Sequence, residues 1–96
     1  MSSEGKKGSW VYMMRCSGGR LYTGWTNDLE NRVEAHISGK GAKFTKAFKA
    51  EALAYAEELE DKSTGLKREA ALKRLSKAEK EELCALWAAQ ERGNTQ

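Results

Sequence analysis

The chain contains no proline, so nothing in it obliges a helix to kink or stop at a fixed point. It has two cysteines, Cys16 and Cys84, which fall in different predicted elements and match no metal-ligand spacing. Each is expected to pack as a small apolar group in a reducing compartment. Long hydrophobic runs are also missing. No stretch approaches the roughly 18 apolar residues that span a bilayer, and no signal-peptide core lies near the N-terminus. A membrane span is thereby excluded, and the cytoplasm is the expected location.

The 96 residues are 40% hydrophobic and 32% charged, the composition of one small globular domain able to bury roughly 60–65% of its unfolded surface. The net charge of +3 is mild, but its distribution is uneven. Lys40, Lys43, Lys46 and Lys49 follow one another with no acid between Gly39 and Ala50. Glu51, Glu57, Glu58, Glu60 and Asp61 then come with no base between them. Such segregation gives one face a positive field that whole-chain charge hides.

Residues 1–9 are polar and glycine-containing, and a frayed start is expected there. The domain should occupy residues 10–90, with a flexible tail over 91–96. Trp10–Cys16 and Leu21–Trp25 are aromatic-rich and end at Gly/Ser clusters, the signature of a hairpin. A two-residue loop at Gly18-Gly19 would put Tyr12 and Tyr22 on opposite faces. A three-residue loop, Gly18-Gly19-Arg20, pairs Cys16 with Tyr22 and Met14 with Gly24, and leaves both phenols on one face. The second register is the expected one.

A first helix is predicted over Asp28–Ser38, capped by Asn27 with Glu30 in the reciprocal position. Its apolar stripe is Leu29, Val33 and Ile37, with Arg32 and His36 flanking it at the rim. A short helix over Ala42–Phe48 turns Phe44 and Phe48 inward, and Ala52–Leu59 is the third strand. A further helix covers Ser63–Leu75, and Ser76-Lys77-Ala78-Glu79 reads as a capping box that opens the last one.

The groups able to do chemistry are few. Tyr12 and Tyr22 are ordinary strand tyrosines unless something clears space beside them, and Gly24 does so: a glycine inside a short strand marks close approach by backbone or ligand. Arg32 and His36 stand at i, i+4 on one helix. Arg32 could equally pair with Glu30 or Asp28, and His36 could be a structural histidine, yet together they suit a phosphate because a guanidinium forks onto two oxygens. Glu69 lies between Leu66 and Leu72 on the helical wheel, next to Ala70, facing inward or to the edge of the core. A carboxylate so placed needs a partner, either Lys73 at i, i+4 or a divalent cation such as magnesium, which often takes one or two protein carboxylates plus substrate phosphate. The lysines Lys40, Lys43, Lys46 and Lys49, with Lys73, are the candidates for non-specific contact with nucleic acid.

These blocks resemble the GIY-YIG nuclease superfamily, and within it a small, single-domain bacterial branch. The first motif matches Trp10-Val11-Tyr12 and the second Tyr22-Thr23-Gly24. The family arginine falls in Asp28-Leu29-Glu30-Asn31-Arg32. Gly39-Lys40-Gly41-Ala42-Lys43-Phe44-Thr45 and Lys67–Ser76 look like the branch's own signatures, and the likeness covers roughly Trp10 to Leu83. The resemblance implies an α+β fold with a three-stranded antiparallel sheet flanked by helices. It also implies metal-dependent endonuclease activity on nucleic acid, DNA in preference to RNA. It maps the catalytic set onto Tyr12, Tyr22, Arg32, His36 and Glu69, with Glu69 as ligand to Mg²⁺ or Mn²⁺. Two departures are visible: Trp10 stands for the first motif's glycine, and Phe44 stands where this branch often has tyrosine. With no room for a targeting domain, specificity would come from a protein partner or from substrate shape. The alternatives are a non-catalytic nucleic-acid-binding module, or a protein-interaction domain docking through Leu83, Leu86 and Trp87.

Overall fold

A computed structural model describes residues 7–93. Three antiparallel strands, β1 (Lys7–Cys16), β2 (Leu21–Asp28) and β3 (Ala50–Leu59), form one sheet in the order β2-β1-β3. Between the second and third strands lie α1 (Leu29–Ile37) and α2 (Lys43–Ala47). After them come α3 (Lys62–Lys73) and α4 (Lys77–Gly93). The architecture is α+β, as expected.

The central strand explains the layering. Alternate residues of β1 feed two separate cores. Val11 and Met13 join Tyr55, Leu72 and Cys84 under α3 and α4, whereas Tyr12, Met14 and Cys16 join Leu29 and Ala50 under α1 and α2. Both cysteines are free and buried, packed as apolar groups.

Several sequence expectations need correction. The sheet begins at Lys7, so residues 7–9 of the segment expected to fray are strand, and the remainder of 1–9 lies outside the described residues. Likewise α4 carries residues 91–93, and 94–96 lie outside. The hairpin register differs by two: Met14 pairs with Tyr22 and Tyr12 with Gly24. The loop is longer because Ser17–Gly19 form a 3-10 turn, with Gly18 and Gly19 at φ 75° and 78°. A shift of two preserves side-chain parity, so the phenols still share a face. Asp28, not Asn27, occupies the N-cap of α1.

The stripe of α1 is also different. Ile37 is 44% exposed and His36 is 0% exposed. His36 follows Leu29 by seven residues, two turns of helix, and so lies almost directly below it. It belongs to the buried face, not the rim.

Candidate active site

Tyr12 sits at the middle of the central strand, 1% exposed, opposite Gly24. A Cβ on Gly24 would stand 2.6 Å from the Tyr12 hydroxyl and 3.0 Å from Cε2 of Tyr22. The bare backbone therefore lets the Tyr12 phenol lie over β2 beside Tyr22, with ring centroids 6.4 Å apart. Tyr22 itself is half-buried.

Helix α1 delivers the nitrogen groups. The His36 ring packs against both phenols, with centroids 5.6 Å from Tyr12 and 5.1 Å from Tyr22. Its Nε2 is 2.7 Å from the Tyr12 oxygen and its Nδ1 is 2.8 Å from Thr45 Oγ1. Thr45 is 1% exposed, and its hydroxyl donates to the Ala42 carbonyl at 3.0 Å. Gly41 presses on the same imidazole edge: a Cβ there would collide first with Nδ1. Phe44 stacks on Tyr22 at 5.8 Å, filling the space with a ring that has no hydroxyl.

The segment 39–45 thus acts as a clamp on the histidine. Sequence reasoning quoted it as a signature and passed over Thr45. One signal was available: Thr45 stands one turn before the inward Phe48, a hydroxyl turned toward the core in a segment otherwise studded with lysines.

Burial dominates the electrostatics. Tyr12 is pushed up to about 12 by loss of solvent, against the pull of the Arg32 guanidinium and with smaller upward pushes from Tyr22 and Glu69. His36 is pushed down to about 4, again chiefly by burial and then by the Arg32 charge. Arg32 therefore faces this cluster and acts on two of its members.

Glu69 arrives from α3, in the opposite helical layer. Its side chain is 19% exposed and pairs with Lys73 at 3.2 Å, so the alternative reading of that carboxylate has a physical basis. Its charge still reaches Tyr12. The fold accordingly gathers Tyr12, Tyr22, Arg32 and His36 tightly and brings Glu69 into electrostatic range. Lys40, Lys43, Lys46 and Lys49 are all exposed along the segment that follows His36, whereas Lys73 is held on Glu69.

Among the described residues, no group of three or more His, Cys, Asp or Glu side chains could enclose a metal. Glu69 offers one hard oxygen donor group. That fits a divalent cation completed by water and substrate phosphate, and does not fit a dedicated protein cage.

The sequence family described as the GIY-YIG catalytic domain matches residues 8–82. The chain belongs to the GIY-YIG family. Within that family it is similar to the UPF0213 protein of Bacillus cereus, 48% identical over 71 residues that cover 74% of each chain. The UPF0213 protein of Syntrophus aciditrophicus is 46% identical over 76 residues, covering 78% of this chain and 87% of the relative. Among solved structures, the solution NMR structure of the UPF0213 protein BH0048 from Bacillus halodurans aligns with a TM-score of 0.51 at 36% identity. That alignment covers 81% of this chain and 83% of that one. Tyr12 and Tyr22, the pair that meets over Gly24, both lie within the matched span.

Proposed function

We propose that this GIY-YIG domain is a metal-dependent endonuclease that hydrolyses phosphodiester bonds, in DNA rather than RNA. The observation that carries the reading is the convergence on Tyr12 of a second phenol, an imidazole, a guanidinium and a carboxylate from three other elements. Arg32 grips the scissile phosphate, since its planar fork matches two oxygens and its fixed charge opposes the charge that develops on them. A Mg²⁺ or Mn²⁺ held by Glu69 would supply Lewis-acid stabilisation to the same phosphate when bound.

Tyr12 does not act as a free phenolate. With its pKa at about 12, ionising it at pH 7–8 would cost roughly 6 kcal/mol. It instead orients the attacking water, with its hydroxyl held on the His36 hydrogen bond. Tyr22, at the half-buried margin of the cluster, borders the substrate. The exposed lysines from Lys40 to Lys49 bind the flanking backbone without reading sequence, which leaves specificity to substrate shape or a protein partner. The cytoplasm is the compartment in which this activity would meet DNA.

Supercoiled and branched DNA incubated with Mg²⁺ or Mn²⁺ tests the reading. Cleavage should occur with wild type and fall at least ~100-fold in Glu69→Ala and in Arg32→Ala. Activity that survives both substitutions overturns it. One observation favours a second reading: the Glu69–Lys73 ion pair suits a binding module whose carboxylate is structural. That module would bind DNA with a steep salt dependence, indifferent to Glu69→Ala, and release no products.

A further inference from the structure

We propose that Thr45 is a positioning residue that locks His36 in its Nδ1–H tautomer and so makes Nε2 the acceptor for the Tyr12 proton. This rests on the nuclease reading for its consequence, and on hydrogen-bond geometry alone for the lock.

The Ala42 carbonyl can only accept, so the single Thr45 hydroxyl proton is spent on it at 3.0 Å. Thr45 Oγ1 can then meet His36 Nδ1, 2.8 Å away, only as an acceptor. A neutral imidazole has one N–H. With that proton on Nδ1, Nε2 carries a lone pair, and the Tyr12 hydroxyl 2.7 Å away donates to it. Complete burial and the nearby Arg32 charge both keep the ring neutral. Gly41 closes the Nδ1 side so tightly that a single methyl would collide with the ring.

The tautomer decides which way protons can move through Tyr12. Were Nε2 protonated, it would donate to the Tyr12 oxygen, and Tyr12 could only give its proton away, toward the water. With Nε2 bare, the attacking water passes a proton to the Tyr12 oxygen as the Tyr12 proton moves to Nε2. The hydroxide equivalent then bonds to phosphorus as the bond from phosphorus to the leaving oxygen breaks. The leaving oxygen takes a proton from solvent, and the imidazolium, its Nδ1–H still on Thr45, returns the Nε2 proton through Tyr12. Tyr12 regains a proton in the same event, so the buried phenol relays without standing as phenolate. A group that fixes which ring nitrogen is basic is a familiar supporting device for histidine.

His36 is the one histidine of the chain, so its imidazole nitrogens can be observed by NMR without ambiguity. In wild type and in Thr45→Ser, at about pH 7.5, Nδ1 should carry the proton and Nε2 should show the shift of an unprotonated nitrogen. In Thr45→Val the proton should move to Nε2. Cleavage by Thr45→Val should show kcat lowered about 10–100-fold with KM within about threefold, and Thr45→Ser should recover most of it. A wild-type spectrum with the proton on Nε2, or a Thr45→Val variant that keeps the wild-type tautomer, overturns the proposal. The wild-type spectrum decides the lock even for a chain that cleaves no DNA, and an inactive wild type would count against the nuclease reading instead.

Discussion

A missing methyl group sets the position of Tyr12. Gly24→Ala would place a carbon 2.6 Å from the Tyr12 hydroxyl, and the phenol would have to leave either His36 or its place over β2. Overpacking of this kind costs about 1–3 kcal/mol. Urea unfolding should show a loss of that size in Gly24→Ala, together with a drop in any cleavage activity. The same buried pair makes stability depend on pH. His36 has its folded pKa depressed to about 4, so its contribution is complete above the unfolded value near 6.5 and is lost as pH falls toward 4. The loss reaches roughly 3 kcal/mol. Tyr12 is raised to about 12, so its share is complete below about pH 10 and is lost as pH rises beyond it, by roughly 2–3 kcal/mol. Urea midpoints should therefore be flat between about pH 6.5 and 10, apart from other groups, and His36→Gln should flatten the acid limb. Residue types and motif spacing were enough to pick out Tyr12, Tyr22, Arg32, His36 and Glu69. The direction of the Tyr12 shift was not legible, because it depends on how much solvent the packed rings remove.

Local chemistry settled some elements and long-range pairing settled others. The capping box at Ser76 forms reciprocally: Ser76 N donates to Glu79 Oε1 at 2.9 Å, and Glu79 N donates to Ser76 Oγ at 3.1 Å. Both partners lie within one turn, so the pattern was readable from sequence. Ser76→Ala should cost about 1 kcal/mol in urea unfolding without changing the tautomer of His36. Strand β3 was harder. Met13 pairs with Tyr55 but Met14 pairs with Leu53, so Ala54 is an extra residue in a bulge. The bulge sends Leu53 and Tyr55 to opposite faces, and no alternation survives for a reader of the sequence to find. The hairpin loop is similar: a 3-10 turn replaced the three-residue loop, and only the parity of its length mattered to the phenols.

Across the whole molecule, both helical layers contribute to the site. The phenols, Arg32 and His36 lie with α1, and Glu69 comes from α3, whose Leu72 packs on the other face of the sheet while the Glu69 charge reaches Tyr12. The lysine segment 40–49 is exposed beside the first group, so electrostatic capture and phosphate gripping would share one side. Replacing Lys43 and Lys46 by Ala should weaken DNA binding uniformly across sequences and reduce the slope of log K against log salt by about 2, measured by fluorescence anisotropy. An unchanged slope would remove the lysines from the interface. The docking-helix alternative loses ground at this scale, because Leu83 and Trp87 pack on the domain's own core, leaving Leu86 at 59% exposed.

Periodicity, capping residues and two short aromatic strands sufficed to specify the kinds and order of elements, since each of those signals is complete within a few neighbouring residues. The strand offsets, the burial of His36 and its grip on Thr45 came only with the folded chain. They depend on which surfaces exclude water from one another, and that is a property of distant segments in contact.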